Sequence, residues 1–379
     1  MVKCDELVAH KFSAGLRRFL SESGGALVRR GLLFVAVHMG PYQSLVPLEK
    51  RFGSSIVRFL LDGFSRDVRR SLGGDYWDMD RVETTYGTLG QFLDREMIGA
   101  VIIGTSEDVP GGNIEELATR AAMVANLPVF AVEDFPGNYR HRAGRRLDGL
   151  FVEDDLSRNL PQARIYVTGN PRYDALKTMD REYLRVSTRA MLSLGLERVV
   201  LWAGQPDGNN SYLALERILP YLSKEGVVLL FKAHPQDMTY RRGRYERLLS
   251  GLALVRDVTS EKDTCGLCCA ADLVVTQFSS VGVEAGHLGT PTLYVLFDDL
   301  GKAYVRRMKG YDIVPWAVRN CAFLLDSSGD ARAIIQSALF DEAARERVRK
   351  NFRRYYEARL SAGEAVAVVI RAAMERSVA

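Results

Sequence analysis

At 379 residues the chain exceeds what one hydrophobic core usually supports, so two domains of roughly 150–200 residues each are expected. With 47% hydrophobic and 26% charged residues the composition is that of an ordinary globular protein, and no window approaches the roughly 18 uninterrupted apolar residues of a membrane span. A formal net charge of +4 is too small to make nucleic acid the expected partner.

The opening stretch, MVKCDELVAHKFSAGLRRFL, mixes acids and bases and lacks both an apolar signal core and a small-residue cleavage site. It reads as a cytoplasmic protein with at most peripheral membrane contact. From there, runs of aliphatic and β-branched residues alternate with helical patterns, the signature of parallel βαβ units. The first half is expected to place strands at 32–38, 56–61, 100–104, 129–133 and 149–152. Helices are expected at 86–97 and 114–125, the latter with Ile114, Leu117, Ala121 and Val124 on one face.

Loops that follow strands point to the ligand-binding edge of an open α/β sheet. Three of them carry titratable groups: His38 with Gly40, the stretch Gly104-Thr-Ser-Glu107-Asp108, and Glu133-Asp134 before Phe135-Pro136-Gly137. Any of these side chains could serve as the general base for an attacking hydroxyl, and each also has an ordinary reading as a cap or turn residue. Glu133 and Asp134 rank first, because two acids followed by Phe-Pro-Gly exceed what a turn requires. Asp78-Met-Asp80 has the letters of a metal-binding motif but follows no buried strand, so no catalytic metal is expected there.

The second half repeats the rhythm, with strands expected at 164–168, 198–203, 227–232, 252–255, 273–276 and 292–295 and a charged helix at 180–194. The division falls in 153–180 and is set at 165/166, giving an N-terminal domain 1–165 and a C-terminal domain 166–379. From about residue 341 the pattern is one or two long helices with a basic face, the last of which could cross back onto the first domain. The Arg-rich stretches 138–146, 241–247 and 345–354 read as solvated faces.

Cysteines stand at 4, 265, 268, 269 and 321, an odd number that makes no disulfide framework. Cys265-Gly-Leu-Cys268-Cys269 contains a C-x-x-C pair without a second pair or His ligands at zinc spacing, so buried structural thiols on a helix feeding the strand near 271–276 are expected.

The segment richest in chemistry is ADLVVTQFSSVGVEAGHLGTP, 271–291. A buried strand runs into Ser279 and Ser280, which open a helix whose unpaired N–H groups, including that of Val281, favour an anion. Glu284 lies one turn further, where a carboxylate can accept from two vicinal ribose hydroxyls. The alternative is that Ser280 is an N-cap and Glu284 a favourable charge near the helix start, although a capping box would place the acid three residues after the cap.

ADLVVTQFSSVGVEAGHLGTPTLYV resembles the nucleotide-diphosphate motif of GT-B-fold proteins. That group includes nucleotide-sugar glycosyltransferases, non-hydrolysing UDP-N-acetylglucosamine 2-epimerases and CDP-glycerol polyol-phosphate transferases. VTGNPRYDAL at 167–176, which contains Asn170, is similar to the opening of the epimerases' second domain. Phe231-Lys-Ala-His234-Pro235 matches a His-Pro pair that faces the diphosphate in such proteins. The resemblance implies two Rossmann-like domains facing across a cleft. His234, Ser279, Ser280, Val281, Glu284, Gly204 and Asn170 would bind the nucleotide diphosphate and ribose, and His234 would stabilise the leaving group.

Two departures bear on the reaction. The loop after the first strand of the second domain, Trp202-Ala-Gly204-Gln-Pro-Asp-Gly208-Asn-Asn210, lacks the epimerases' His and Arg, and 132–139 replaces their Glu-Ala-Gly-Leu-Arg segment. The expectation is therefore a metal-independent glycosyltransferase without cofactor. It would move a sugar or polyol-phosphate from a UDP- or CDP-linked donor to an acceptor the sequence does not name, in glycan or glycoconjugate synthesis. An epimerase or hydrolase acting on the nucleotide-sugar is the alternative, then a non-catalytic nucleotide-sugar-binding protein. A homodimer is left open.

Overall fold

The computed structural model describes residues 29–74, 76, 85–106, 113–139, 147–155, 163–222, 226–250, 252, 254–357 and 361–376. Glu107, Asp108, Asp78, Asp80, Cys4 and residues 140–146 of the first Arg-rich stretch lie outside the described residues. The chain divides into two units, Met1–Asp174 with Leu360–Ala379, and Ala175–Arg359.

The first unit is a six-stranded parallel sheet built from β1 (Gly31–Ala36), β2 (Val57–Leu61), β3 (Ile98–Ile103), β4 (Val129–Val132), β5 (Leu147–Val152) and β6 (Ala163–Val167). Its order is β2-β1-β3-β4-β5-β6, so the central strands are apolar on both faces, as parallel sheets require. The period-2 alternation sorts β1 cleanly: Leu33 and Val35 enter one core with Leu89, Phe92 and Ala118, while Leu32, Phe34 and Ala36 enter the other with Phe59, Phe130 and Phe151. The second of these cores also takes Val366, Ile370 and Ala373 from the helix Ala362–Arg376. The chain's final helix thus completes the first unit.

The second unit repeats the architecture with β7 (Arg198–Ala203), β8 (Val227–Lys232), β9 (Val255–Asp257), β10 (Leu273–Thr276), β11 (Thr292–Leu296) and β12 (Phe323–Asp326), in the order β12-β11-β10-β7-β8-β9. Its strands are again parallel. Aspartates set several helix starts: Asp237, Asp263, Asp330 and Asp341 each accept from a backbone N–H of the following turn.

Three details differ from the sequence reading. β6, expected to open the second domain, pairs with β5 and closes the first sheet, so the first unit runs on to Asp174. β9 begins three residues later than expected, and β12 was not anticipated, because a four-residue edge strand carries too little pattern to be told from a loop. Among the described residues no helix is long and apolar enough to cross a membrane.

Candidate functional site

In the second unit the strand register brings three loops side by side. Thr276 at the end of β10 pairs with Ala203 at the end of β7, which pairs with Lys232 at the end of β8. The residues that follow, Gln277 to Ser280, Gly204 to Asp207 and Ala233 to Asp237, therefore form one edge. This is the carboxyl edge of a parallel sheet, where ligands bind. Thr276 Oγ1 donates to Ala203 O (2.8 Å) and accepts from Gln205 Nε2 (2.9 Å), which locks the first two loops together.

Packing is tight at Gly204 and leaves no room for a side chain at Gly208. A Cβ at Gly204 would lie 3.2 Å from His234 N and 3.3 Å from Lys232 O, and one at Gly208 only 1.7 Å from Asp237 Oδ1. Asp237 is buried and ties the region together: it accepts from Thr239 N (2.8 Å), Tyr240 N (3.0 Å) and the Tyr245 hydroxyl (3.1 Å). Nothing in the sequence singled it out, although Asp before a short helix after His-Pro is an N-cap signal.

His234 presents its imidazole in one defined form. The backbone N–H of Gln236 donates to His234 Nδ1 (3.1 Å), so Nδ1 is the unprotonated nitrogen and Nε2 carries the proton. Burial pushes the imidazole below its usual range, with Asp237 opposing more weakly. At neutral pH the ring is a neutral donor through Nε2, suited to a phosphate oxygen. Lys232 is turned elsewhere, its ammonium donating to Glu261 O (2.5 Å) and Thr259 O (3.4 Å).

The loop after β10 enters the seven-residue helix Val281–His287. Gly282 and Gly286, four apart on one face, let that helix sit tightly: a Cβ would lie 2.6 Å from the Tyr294 hydroxyl at the first and 2.2 Å from the Phe352 ring at the second. Ser280 occupies the N-cap position in a helical conformation and makes no side-chain cap bond. Ser279 Oγ accepts from Val281 N at 3.3 Å, the only capping contact there among the described residues. Ser279, Ser280, Val281 and Glu284 are all half-buried. Gln277 is 1% exposed, and neither its Oε1 nor its Nε2 has a hydrogen-bond partner among the described residues. Sequence reasoning passed over Gln277. The signal was there, a primary amide directly after a run of buried strand residues.

Asn170 does not join this group. It lies in the first unit, buried, with Nδ2 donating to Ser44 Oγ (3.0 Å), Glu133 O (3.2 Å) and Asp134 O (3.3 Å) and Oδ1 accepting from Arg172 N (3.0 Å). In the same motif Asp174 accepts from Ser361 Oγ (2.7 Å), Ala362 N (2.9 Å) and Gly363 N (2.8 Å), capping the final helix. The Thr-Gly-Asn…Asp pattern thus has a structural account in this chain.

In the first unit the loops after β1, β3 and β4 are likewise neighbours, through Val35 beside Ile103 and Ile103 beside Ala131. His38 is exposed and its side chain makes no cap bond to the helix Met39–Phe52 that it precedes. Glu133 is buried, and its Oε1 accepts from Gly137 N (3.0 Å) and Tyr139 N (3.3 Å). Asp134 Oδ1 accepts from Thr105 Oγ1 (2.6 Å) and Asn138 Nδ2 (2.8 Å), and a Cβ at Gly40 would lie 2.3 Å from Asp134 Oδ2. A further buried acid, Glu115, accepts from Ser106 N (3.1 Å) and Ser106 Oγ (2.5 Å). Ser106 Oγ in turn accepts from Val37 N and His38 N, both at 3.3 Å, which anchors the loop carrying His38.

The thiols of Cys268 and Cys269 are buried, and burial pushes both up, that of Cys269 to about 11. Among the described residues no group of three or more His, Cys, Asp or Glu is arranged to hold a metal ion.

Residues 156–314 match the family model for CDP-Glycerol:Poly(glycerophosphate) glycerophosphotransferase. The UDP-GlcNAc 2-epimerase of Neisseria meningitidis bound to UDP-GlcNAc superposes with a TM-score of 0.62 at 15% identity, covering 91% of this chain and 100% of that one. Anabaena HepE in complex with UDP and glucose gives 0.62 at 14% identity over 90% and 98%. The wall teichoic acid polymerase TagF, an H444N variant soaked with CDPG, gives 0.53 at 13% identity over 92% and 90%. The fold is GT-B. The likeness read from the motifs at 167–176, 231–235 and 271–291 is supported, and the family match spans all three. No curated protein matches the chain.

Proposed function

We propose that this GT-B protein transfers a sugar or polyol-phosphate from a nucleotide-activated donor to an acceptor hydroxyl. The observation that carries the reading is the shared edge of β7, β8 and β10. There a neutral His234 with its proton on Nε2, the uncapped Ser280, and Glu284 one turn on follow one another within the stretch that matches the glycerophosphotransferase model. Neighbours crystallised with UDP, UDP-GlcNAc or CDPG support a nucleotide ligand of this class. The loop 279–281 would receive the diphosphate and Glu284 the ribose hydroxyls, while His234 would donate to the leaving phosphate as charge develops on it.

The acceptor proton needs a base. His38 fits that role best, because it is exposed and makes no cap bond, whereas Glu133 Oε1 and Asp134 Oδ1 already hold their own loop. The epimerase reading is kept as the second, since an epimerase is among the structural neighbours.

Calorimetry with UDP and CDP tests the site: at least one binds, and Glu284→Ala weakens it by about tenfold or more while the apoprotein stays folded. Unchanged affinity in that variant sinks the ribose assignment. Incubation with UDP-N-acetylglucosamine in D2O separates the reactions, because epimerisation would carry solvent deuterium to C2 without any acceptor and transfer would not.

A further inference from the structure

Gln277 stands where the second unit leaves a polar group unanswered. It follows the last residue of β10 and precedes Phe278, Ser279 and Ser280. At 1% exposure it leaves an acceptor oxygen and an amide nitrogen with two hydrogens unpartnered among the described residues. The neighbouring strand shows how such an amide is normally settled, since Gln205 Nε2 donates to Thr276 Oγ1 at 2.9 Å. An orphaned amide in a core is selected against on stability alone, and where one persists at the ligand edge of a sheet its partner is to be sought in the ligand.

The covering structure is specific. A π-helical turn, Asp298–Lys302, lies over the amide, and a Cβ at its Gly301 would sit 3.1 Å from Gln277 Nε2. Beside it the Phe278 ring stacks on Tyr304 with centroids 4.8 Å apart, which fixes the loop against the helix Ala303–Lys309. Single π turns inside helices recur at functional sites, and this one covers the amide with a residue that has no side chain.

We propose that the Gln277 carboxamide reads a hydroxyl of the group carried beyond the diphosphate of the donor, the sugar or polyol that is transferred. This rests on the reading of the site as a nucleotide-diphosphate site. A phosphate oxygen can only accept, so it would satisfy Nε2 and leave Oε1 orphaned; a hydroxyl both donates and accepts and satisfies both. In the chain, Gln277 precedes the loop 279–281 assigned to the diphosphate, and Glu284, assigned to the ribose, follows it.

The test is calorimetry of the wild type and Gln277→Leu with two pairs of ligands, UDP against UDP-glucose and CDP against CDP-glycerol. The wild type binds at least one bare diphosphate. In the variant that affinity stays within about twofold, while the matching sugar- or glycerol-bearing nucleotide loses about tenfold. The variant melts at or above the wild type, because an apolar group replaces an unsatisfied one; Gln277→Met serves as the second variant if Leu does not fold. Parallel loss for the bare and the substituted nucleotide overturns the proposal and points to a contact with base or diphosphate, and no loss for either overturns it as well. A wild type that binds neither UDP nor CDP brings down the site reading itself.

Discussion

The loop after β4 in the first unit and the loop after β10 in the second both lie at the carboxyl edges of their sheets, yet their polar groups are used in opposite ways. In 133–139 the Glu133 and Asp134 carboxylates accept from Gly137 N, Tyr139 N, Thr105 Oγ1 and Asn138 Nδ2, and Asn170 Nδ2 donates to the Glu133 and Asp134 backbone carbonyls. In 277–280 the Gln277 amide has no partner among the described residues and Ser280 makes no cap bond. The contrast shows that acidic residues at a strand's end are not by themselves evidence of chemistry. A satisfied carboxylate shapes a loop, whereas an unsatisfied amide in an equally buried place needs something from outside the chain.

The strongest way to break this comparison is to remove a satisfied acid. Glu133→Ala leaves the buried Tyr139 N–H and the half-buried Gly137 N–H without this acceptor and is expected to cost about 3 kcal/mol in urea unfolding, whereas Glu133→Gln keeps an oxygen in place and costs about 1 kcal/mol. An Ala variant of wild-type stability would show that the 133–139 loop does not depend on its carboxylate. A Gln variant that is stable but loses turnover would restore Glu133 as a base.

Next in size is Asp174→Ala, which removes the acceptor for Ser361 Oγ, Ala362 N and Gly363 N at the start of the final helix and is expected to cost about 2 kcal/mol. Its urea midpoint should fall while nucleotide affinity is unchanged, because it acts in the first unit alone. Affinity falling with stability would mean that the 167–176 motif also serves the ligand.

How much of this was legible in the sequence differs between the two loops for physical reasons. The alternation of Leu32, Leu33, Phe34 and Val35 and the Ser279-Ser280 to Glu284 spacing are local patterns, and both reported correctly on strand and helix positions. The pattern of β6 fits a strand of either sheet, and that Asn170 and Asp174 serve the first unit depends on partners 36 to 189 residues away. No window of sequence contains them. Gln277 is an intermediate case: its place after a buried strand was visible, while its lack of a partner among the described residues is seen only in the fold.

A change of opposite sign sharpens the comparison further. Gln277→Leu is expected to raise the stability of the apoprotein by about 1 kcal/mol, the reverse of Glu133→Ala, because no hydrogen bond among the described residues repays the amide's desolvation. Calorimetric melting of the two variants side by side decides whether the loops differ as described. A destabilised Gln277→Leu would mean that the amide is held by contacts that the wild-type geometry does not reveal.

The smallest effect is carried by His234, where acid rather than substitution does the perturbing. Burial lowers its imidazole below the usual value near 6.5, and the Gln236 N–H donated to Nδ1 is compatible only with the neutral ring. Between that value and the lower one in the folded protein, the unfolded chain binds more protons than the folded one. The stability held by the neutral ring is therefore complete above pH 6.5 and is lost as pH falls toward the folded value, with a slope of at most about 1.4 kcal/mol per pH unit. Asp237 opposes the shift and keeps it modest. Urea midpoints of the apoprotein taken from pH 7.5 down to 5 should decline faster in the wild type than in His234→Gln, whose amide does not titrate. Parallel curves for the two proteins would show that His234 is not held neutral, and the assignment of its Nε2 proton to a donor phosphate would go with it.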